Sequence, residues 1–142
     1  MALTEQALKL YNDAEQSVLG ALIADAPMNA ADVFRQVRSE DFLNGERRYI
    51  FDTCRAMFAR NDQIDPYTVR AACGAEYIEL VKALCDMMMT PSNCAAYVRQ
   101  LRDCAIRYRL DALLHETRSH IAYAAPLPEV AALVERMQTV LA

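Results

Sequence analysis

The sequence predicts an all-α protein, with a compact helical head of about five helices followed by a long antiparallel helical hairpin. Three observations carry that reading. Apolar residues recur at three- and four-residue steps instead of alternating, which places them on helix faces. Only three glycines, Gly20, Gly45 and Gly74, occur in 142 residues. From Asn93 to about Tyr123 there is neither proline nor glycine, so a single helix of some thirty residues, about 45 Å long, is the simplest reading. Residues 1–92 form the head on this reading, and residues 93–142 form the hairpin of the same domain.

The elements follow in order. Residues 1–12 show no clear cap and read as a lead-in, with a short turn of helix bearing Leu3, Ala7, Leu8 and Tyr11 as the alternative. Asp13-Ala14-Glu15-Gln16 has the pattern of a capping box and opens helix one. Val18, Leu19, Leu22 and Ile23 are its buried stripe, Gly20 lets a neighbouring backbone approach, and Asp25-Ala26-Pro27 ends it. Asn29 caps a short second helix that buries Val33, Phe34 and Val37. Ser39 to Phe42 makes a tight turn. The third helix, Glu46 to Arg60, is the expected hub of the head. Ile50, Phe51, Cys54, Met57 and Phe58 give it an apolar face, Asn44 its N-cap, and Asn61 a left-handed stop. Ile64 anchors the next connection. Asp65-Pro66 opens helix four as N-cap and first residue, with Val69 and Ala72 inward and Gly74 as its stop. Helix five runs from about Ala75 to Met88 and buries Tyr77, Leu80, Val81, Leu84 and Met88. Met87, Met88 and Met89 read as the gap-filling end of that helix, with an adaptable docking surface as the alternative. Thr90-Pro91-Ser92 breaks the chain and Ser92 can cap the long helix.

In the long helix the first half turns Tyr97, Leu101, Cys104 and Tyr108 inward, and the second half carries Ile106, Leu110, Leu113, Leu114, Thr117 and Ile121. Ala124-Ala125-Pro126-Leu127-Pro128 turns the chain into a last helix bearing Val130, Leu133, Val134, Met137 and Leu141. Two helices joined so closely pair antiparallel. These eleven hairpin residues cover more than the facing sides of two helices, so something further must cover the surplus. A second copy of the hairpin, related by a two-fold axis, is the natural cover; folding back onto the head is the alternative. The last helix reaches Ala142 with no glycine cap or polar tail, which reads as a chain cut from something longer.

Several functions are excluded. No GxxxxGK[ST] or GxGxxG occurs, so nucleotide chemistry is not expected of this segment. The net charge is −4 with Lys9 and Lys82 the only lysines, so a general nucleic-acid-binding patch is not expected either. The five cysteines, Cys54, Cys73, Cys85, Cys94 and Cys104, contain no CxxC pair and read as core thiols of a cytoplasmic protein. No secretory leader or membrane span is visible. His115 and His120 are five apart, the wrong spacing for two ligands of one metal, and read as solvent-facing. Glu15 and Asp41 could be imagined as an acid/base pair, but Glu15 is explained as a first-turn acid favoured by the helix dipole. Arg99, Arg102, Arg107 and Arg109 interleave with Asp103 and Asp111, the pattern of a salt-bridged solvated face. No catalytic, cofactor or metal residue is therefore assigned.

Ala14-Glu15-Gln16-Ser17-Val18-Leu19-Gly20, then Asp41-Phe42, Arg48-Tyr49-Ile50-Phe51, Ile64-Asp65 with Thr68-Val69, Tyr77, and Asn93 with Tyr97 and Arg107, together resemble the N-terminal domain of bacterial replicative DNA helicases of the DnaB type. The resemblance spans roughly residues 12–142. It implies pairing through the hairpins into dimers, closure of three dimers into a collar, and primase docking on that collar. It also implies a separate RecA-like motor in the parent protein that uses ATP and Mg to unwind duplex DNA and engages single-stranded DNA. The sequence departs from the family pattern at Arg47, where a histidine is usual, and between Thr68 and Glu76, where a longer segment and paired glycines are usual. No primase-contact residue is assigned. A stand-alone protein of the same fold that binds or inhibits a helicase is the alternative.

Overall fold

Thr4 accepts a hydrogen bond from the Ala7 amide at 3.1 Å and starts a helix that passes straight through the segment read as a cap. A computed structural model describes residues 3–142; Met1 and Ala2, part of the expected lead-in, lie outside the described residues. Helix α1 is Glu5–Ala24. Asp13 is exposed in its middle. The stripe continues upstream through buried Tyr11, whose hydroxyl donates to the Asp41 carbonyl at 2.5 Å. Continuous burial of this face outweighs a local capping pattern.

Asp25 alone separates α1 from α2, Ala26–Gln36. Pro27 sits in the first turn of α2, where its missing N–H has no intrahelical role. Asn29 is therefore inside the helix, not its cap. It is buried, and its side-chain amide donates to the Ala21 and Pro91 carbonyls at 3.0 Å each, tying three segments together. Ser39–Asp41 is a 3₁₀ turn at the expected place.

Helix α3, Gly45–Ala59, has the expected ends: the Asn44 side chain accepts from the Arg47 amide, and Asn61 takes φ 59°. Ile50, Phe51, Cys54 and Met57 are buried, but Phe58 is 41% exposed. It lies in the last turn, beyond the core, with its ring 5.1 Å from that of Phe34. Helix α4, Pro66–Cys73, is capped by Asp65 and stopped by Gly74 at φ 103°. Val69 is buried as expected, but Ala72 is exposed and Cys73, four residues on from Val69, takes the inward position. Ala75–Tyr77 then forms a 3₁₀ turn that stacks Tyr77 on Tyr49 at 4.7 Å, so α5 is only Ile78–Asp86. Of the three methionines only Met88 packs against the core, beside Gly20, while Met87 and Met89 are exposed.

Helix α6, Cys94–Ala122, is one unbroken element of 29 residues, preceded by a 3₁₀ turn at Pro91–Asn93. Asn93, not Ser92, occupies its N-cap position, with no side-chain hydrogen bond. Cys94, Val98, Leu101 and Ala105 join the core of the head. Tyr97 and Cys104 pack partly against it, and Tyr108 is exposed. Helix α7, Leu127–Leu141, pairs with the distal half of α6. The hub of the head is α1, which packs against α2, α3, α4, α5 and α6, most extensively α6. Expectation placed α3 there because five large apolar side chains on one short helix need partners from several other elements. The close approach at Gly20 decides otherwise: a Cβ there would lie 2.8 Å from the Leu84 carbonyl oxygen, so α1 sits deeper between its neighbours.

Candidate assembly surface

The hairpin turn is closed by backbone hydrogen bonds. Ala124 adopts φ 54°, and the Ala125 amide donates to the His120 carbonyl at 2.8 Å, capping α6. Pro128 in the first turn of α7 needs no amide partner. At about 1.5 Å per residue, α6 is about 44 Å long and α7 about 22 Å, so α7 covers only the part of α6 that the head leaves free.

Within the seam Leu113, Thr117 and Leu133 are buried, and the Thr117 hydroxyl donates to the Leu113 carbonyl at 2.7 Å. Ile106, Leu110, Val130 and Met137 are half-buried at its edges. The other hairpin residues singled out by their apolar character, Leu114 (57% exposed), Ile121 (63%), Val134 and Leu141 (64%), point away from the seam. At about 100° per residue, Leu110, Leu114 and Ile121 fall within about 40° of one another around α6, and Val130, Val134 and Leu141 do the same around α7. Each set is rotated in the same sense from its seam residue, Leu113 or Leu133. Because the helices are antiparallel, both sets lie on one side of the hairpin. The residues that α6 gives to the head, Val98, Leu101 and Ala105, are rotated the opposite way. The hairpin therefore carries a continuous apolar face turned away from the head, with a groove of about 380 Å³ beside Leu114 and Ile121.

The buried charged residues of the head are engaged in pairs. Glu15 is buried in the third turn of α1, not exposed in a first turn, and is matched by Arg47 at 2.9 Å and by the Leu43 amide at 2.6 Å. Asp41 is paired with Arg109 at 2.6 Å. Between them lies Tyr11, whose hydroxyl is pushed far above its ordinary range, first by burial and then by Glu15 and Asp41. These groups hold α1, α3 and α6 together. The expected salt-bridged face on α6 is not formed: Arg99, Arg102 and Arg107 are exposed with no ion pair among the described residues, and Arg109 pairs with the head. His115 is exposed. His120 places Nδ1 2.9 Å from the Glu116 carbonyl and Nε2 3.9 Å from Glu129 across the hairpin. Among the described residues there is no cluster able to hold a metal ion, and no helix is long and apolar enough to cross a membrane.

Most of the motif residues are structural. Ala14, Val18 and Leu19 are core, Glu15 takes the buried ion pair, and Gly20 meets the α5 backbone. Phe42 stacks near Phe51, and its carbonyl accepts from the Arg48 guanidinium at 2.7 Å. Asp65 exchanges cap hydrogen bonds with Thr68.

A family model described as DnaB-like helicase N terminal domain matches residues 8–103. Among solved structures, the crystal structure of the N-terminal domain of DnaB helicase from Mycobacterium tuberculosis is similar with a TM-score of 0.72 at 25% identity, covering 90% of this chain and 94% of that one. No curated protein sequence matches. The family match ends within the head-packed half of α6, while the structural likeness covers most of the chain.

Proposed function

The chain belongs to the family of DnaB-like helicase N-terminal domains, and from that premise we propose that it is the assembly domain of a replicative helicase. Paired hairpins build dimers, three dimers close a collar, and the collar receives primase. ATP and Mg chemistry, unwinding and contact with single-stranded DNA belong to a motor domain of the parent protein in the cytoplasm; the residues here supply architecture and docking.

The observation that supports this reading best is the apolar face of the hairpin turned away from the head. A two-fold-related copy would bring the same stripe against itself, which is the geometry of a self-complementary interface. Complete burial of a Leu, Ile or Val side chain is worth roughly 1.5–3 kcal/mol. Leu114, Ile121, Val134 and Leu141 are about half covered already, so burying the remainder on both partners offers about 7–14 kcal/mol, the same order as an association cost of about 4–15 kcal/mol. Closure of a ring would add further avidity without new kinds of contact.

The test is the solution mass by light scattering over a wide concentration range, with helicity checked by circular dichroism, for the unmodified chain and Leu114→Glu. Leu113→Glu is the wrong probe, since Leu113 is buried inside the hairpin and its loss would unseat α7. A dimer or hexamer that becomes monomeric in Leu114→Glu with unchanged helicity supports the assembly. A monomer at every concentration, or an assembly indifferent to Leu114→Glu, overturns it.

A further inference from the structure

At the corner of the head where α1 meets α2, the end of α3 and the connection into α4 stand apart and leave a half-open groove of about 490 Å³. Its floor is buried Ile23, Ala30 and Ile64, and its walls include Ala31 and the partly exposed ring of Phe58. Its size is that of a site for one or two large side chains, not of a packing defect. Small alanines along α2 keep it open.

The rim is acidic. Asp25, Asp62 and Asp65 all line it. They are not equivalent. Asp65 is engaged by the Tyr67 and Thr68 amides at 2.9 Å each, and Asp62 faces Arg60 at 2.9 Å. Asp25 has no side-chain hydrogen bond or ion pair among the described residues. The helices α1 and α3 also end here, at Ala24 and Ala59, with the negative poles of their dipoles toward the groove. The opposing poles of α2 and α4 begin at the same corner, and that of α4 is answered by Asp65. What remains is an apolar trough with, at its edge, a carboxylate at the N-cap position of α2 that no hydrogen bond or ion pair engages among the described residues.

We propose that this groove is a docking site for a basic, apolar-anchored segment of a partner protein: a helical turn or extended strand that buries a Leu- or Met-like side chain against Ile23, Ala30 and Ile64 and sets an Arg or Lys against Asp25. Charge complementarity selects this occupant over an acidic one. The overall charge of −4 draws the same class of partner toward the head. The site lies at the far end of the head from the hairpin, so it is independent of how the hairpin face is covered, and an assembled collar could use it.

The probe is a short amidated peptide with Leu at i and i+4 flanked by Arg, titrated into the isotope-labelled chain and followed by amide chemical shifts, beside a counterpart with Glu in place of Arg. The expected result is a set of shifts confined to the amides around Ala26, Ala31, Phe58 and Ile64 for the Arg peptide only. Asp25→Asn, which keeps the shape and removes the charge, should weaken binding about threefold. Ala31→Trp, a substitution at an exposed helical position that fills the trough, should abolish it, and the unchanged spectrum of the hairpin reports that this variant is folded. Equal binding of the Glu peptide, shifts centred on the hairpin, or binding indifferent to Ala31→Trp would each overturn the assignment, as would no shift at all at millimolar peptide.

Discussion

Arg109 in the middle of α6 lies 2.6 Å from the buried carboxylate of Asp41, in the 3₁₀ turn ahead of α3. This is where the long helix leaves the head. Asp41 is committed on all sides: Oδ2 accepts the Arg38 amide at 2.9 Å, and its carbonyl accepts the Tyr11 hydroxyl. The pair fixes the angle at which the hairpin is presented.

Removing either partner should therefore be unequal in cost. Asp41→Asn leaves a guanidinium that is partly exposed and can be hydrated alone, whereas Arg109→Ala strands a carboxylate that is almost wholly buried, so Arg109→Ala should destabilise the chain more. We expect about 1 kcal/mol for Asp41→Asn, after solvent screening of an accessible guanidinium is allowed for, and about 2 kcal/mol for Arg109→Ala. Urea denaturation monitored by circular dichroism measures both. Equal losses would show that burial of the unpaired carboxylate does not set the cost.

The Glu15–Arg47 pair is a stricter case, because both side chains are almost wholly inside. Glu15→Leu alone strands a buried guanidinium and should cost about 3–5 kcal/mol. The double substitution Glu15→Leu with Arg47→Met removes both charges and should recover most of that loss. A double variant as unstable as the single one would mean that the Leu43 amide, which Glu15 also accepts at 2.6 Å, carries the effect.

Much of the head was legible because its rules are local. Asn44, Asp65, Gly74 and Asn61 announce helix ends by backbone chemistry that needs no tertiary partner, and all four act as read. The errors came where a local pattern competed with burial. Asp13 to Gln16 looks like a cap but lies on a stripe that continues to Tyr11, and Asn29 looks like a cap but is drawn inside to serve the Ala21 and Pro91 carbonyls. The Glu15–Arg47 pair spans 32 positions, and no periodicity could reveal it. The hairpin itself was legible from the proline-free run after Asn93. Which apolar residues face the seam was not, because Leu113 and Leu114 differ by one position and only the placement of α7 separates their fates.

Gly20 gives a test of the hub. Its missing side chain lets α5 approach so closely that a Cβ would sit 2.8 Å from the Leu84 carbonyl oxygen and 3.2 Å from the Met88 Cβ. The first contact is with backbone and cannot be relieved by a rotamer change. Gly20→Ala gains helix propensity of about 1 kcal/mol against an overpacking cost of about 1–3 kcal/mol, so it should be destabilising overall by up to about 2 kcal/mol. A thermal midpoint that rises in Gly20→Ala would refute the close α1–α5 contact.

The cap at Asp65 carries a pH dependence. Hydrogen bonds from the Thr68 amide first, then from the Tyr67 amide and the Thr68 and Gln63 side chains, hold its carboxyl below the ordinary value of 3.8. A folded-state pKa below the unfolded one gives stability that is present above the unfolded value and lost as pH falls through the folded value. Asp65→Ala should cost about 1 kcal/mol near neutral pH. The gap between the two proteins should close as the pH falls below about 4. Parallel melting curves at neutral and acid pH decide it: a gap of constant size would mean that Asp65 acts by packing alone.

The cysteines report on the head and the root of the hairpin by reactivity. Burial pushes the Cys94 thiol up to about 11 and that of Cys54 far above the usual range, and both side chains are shielded in the core with Cys73. Cys85 and Cys104 are also raised, chiefly by burial, but retain partial access to solvent. Only a thiolate attacks a disulfide reagent, so a raised pKa and a closed surface slow the same step twice. With Ellman's reagent at about pH 8, Cys85 and Cys104 should react first. Cys54, Cys73 and Cys94 should follow only as the head opens, at a rate that rises with urea in step with the loss of helicity. Reaction of Cys94 as fast as Cys104 in the absence of denaturant would mean that the first turn of α6 is not held in the core, and that the hairpin is hinged at Pro91 instead of anchored by Val98, Leu101 and Ala105.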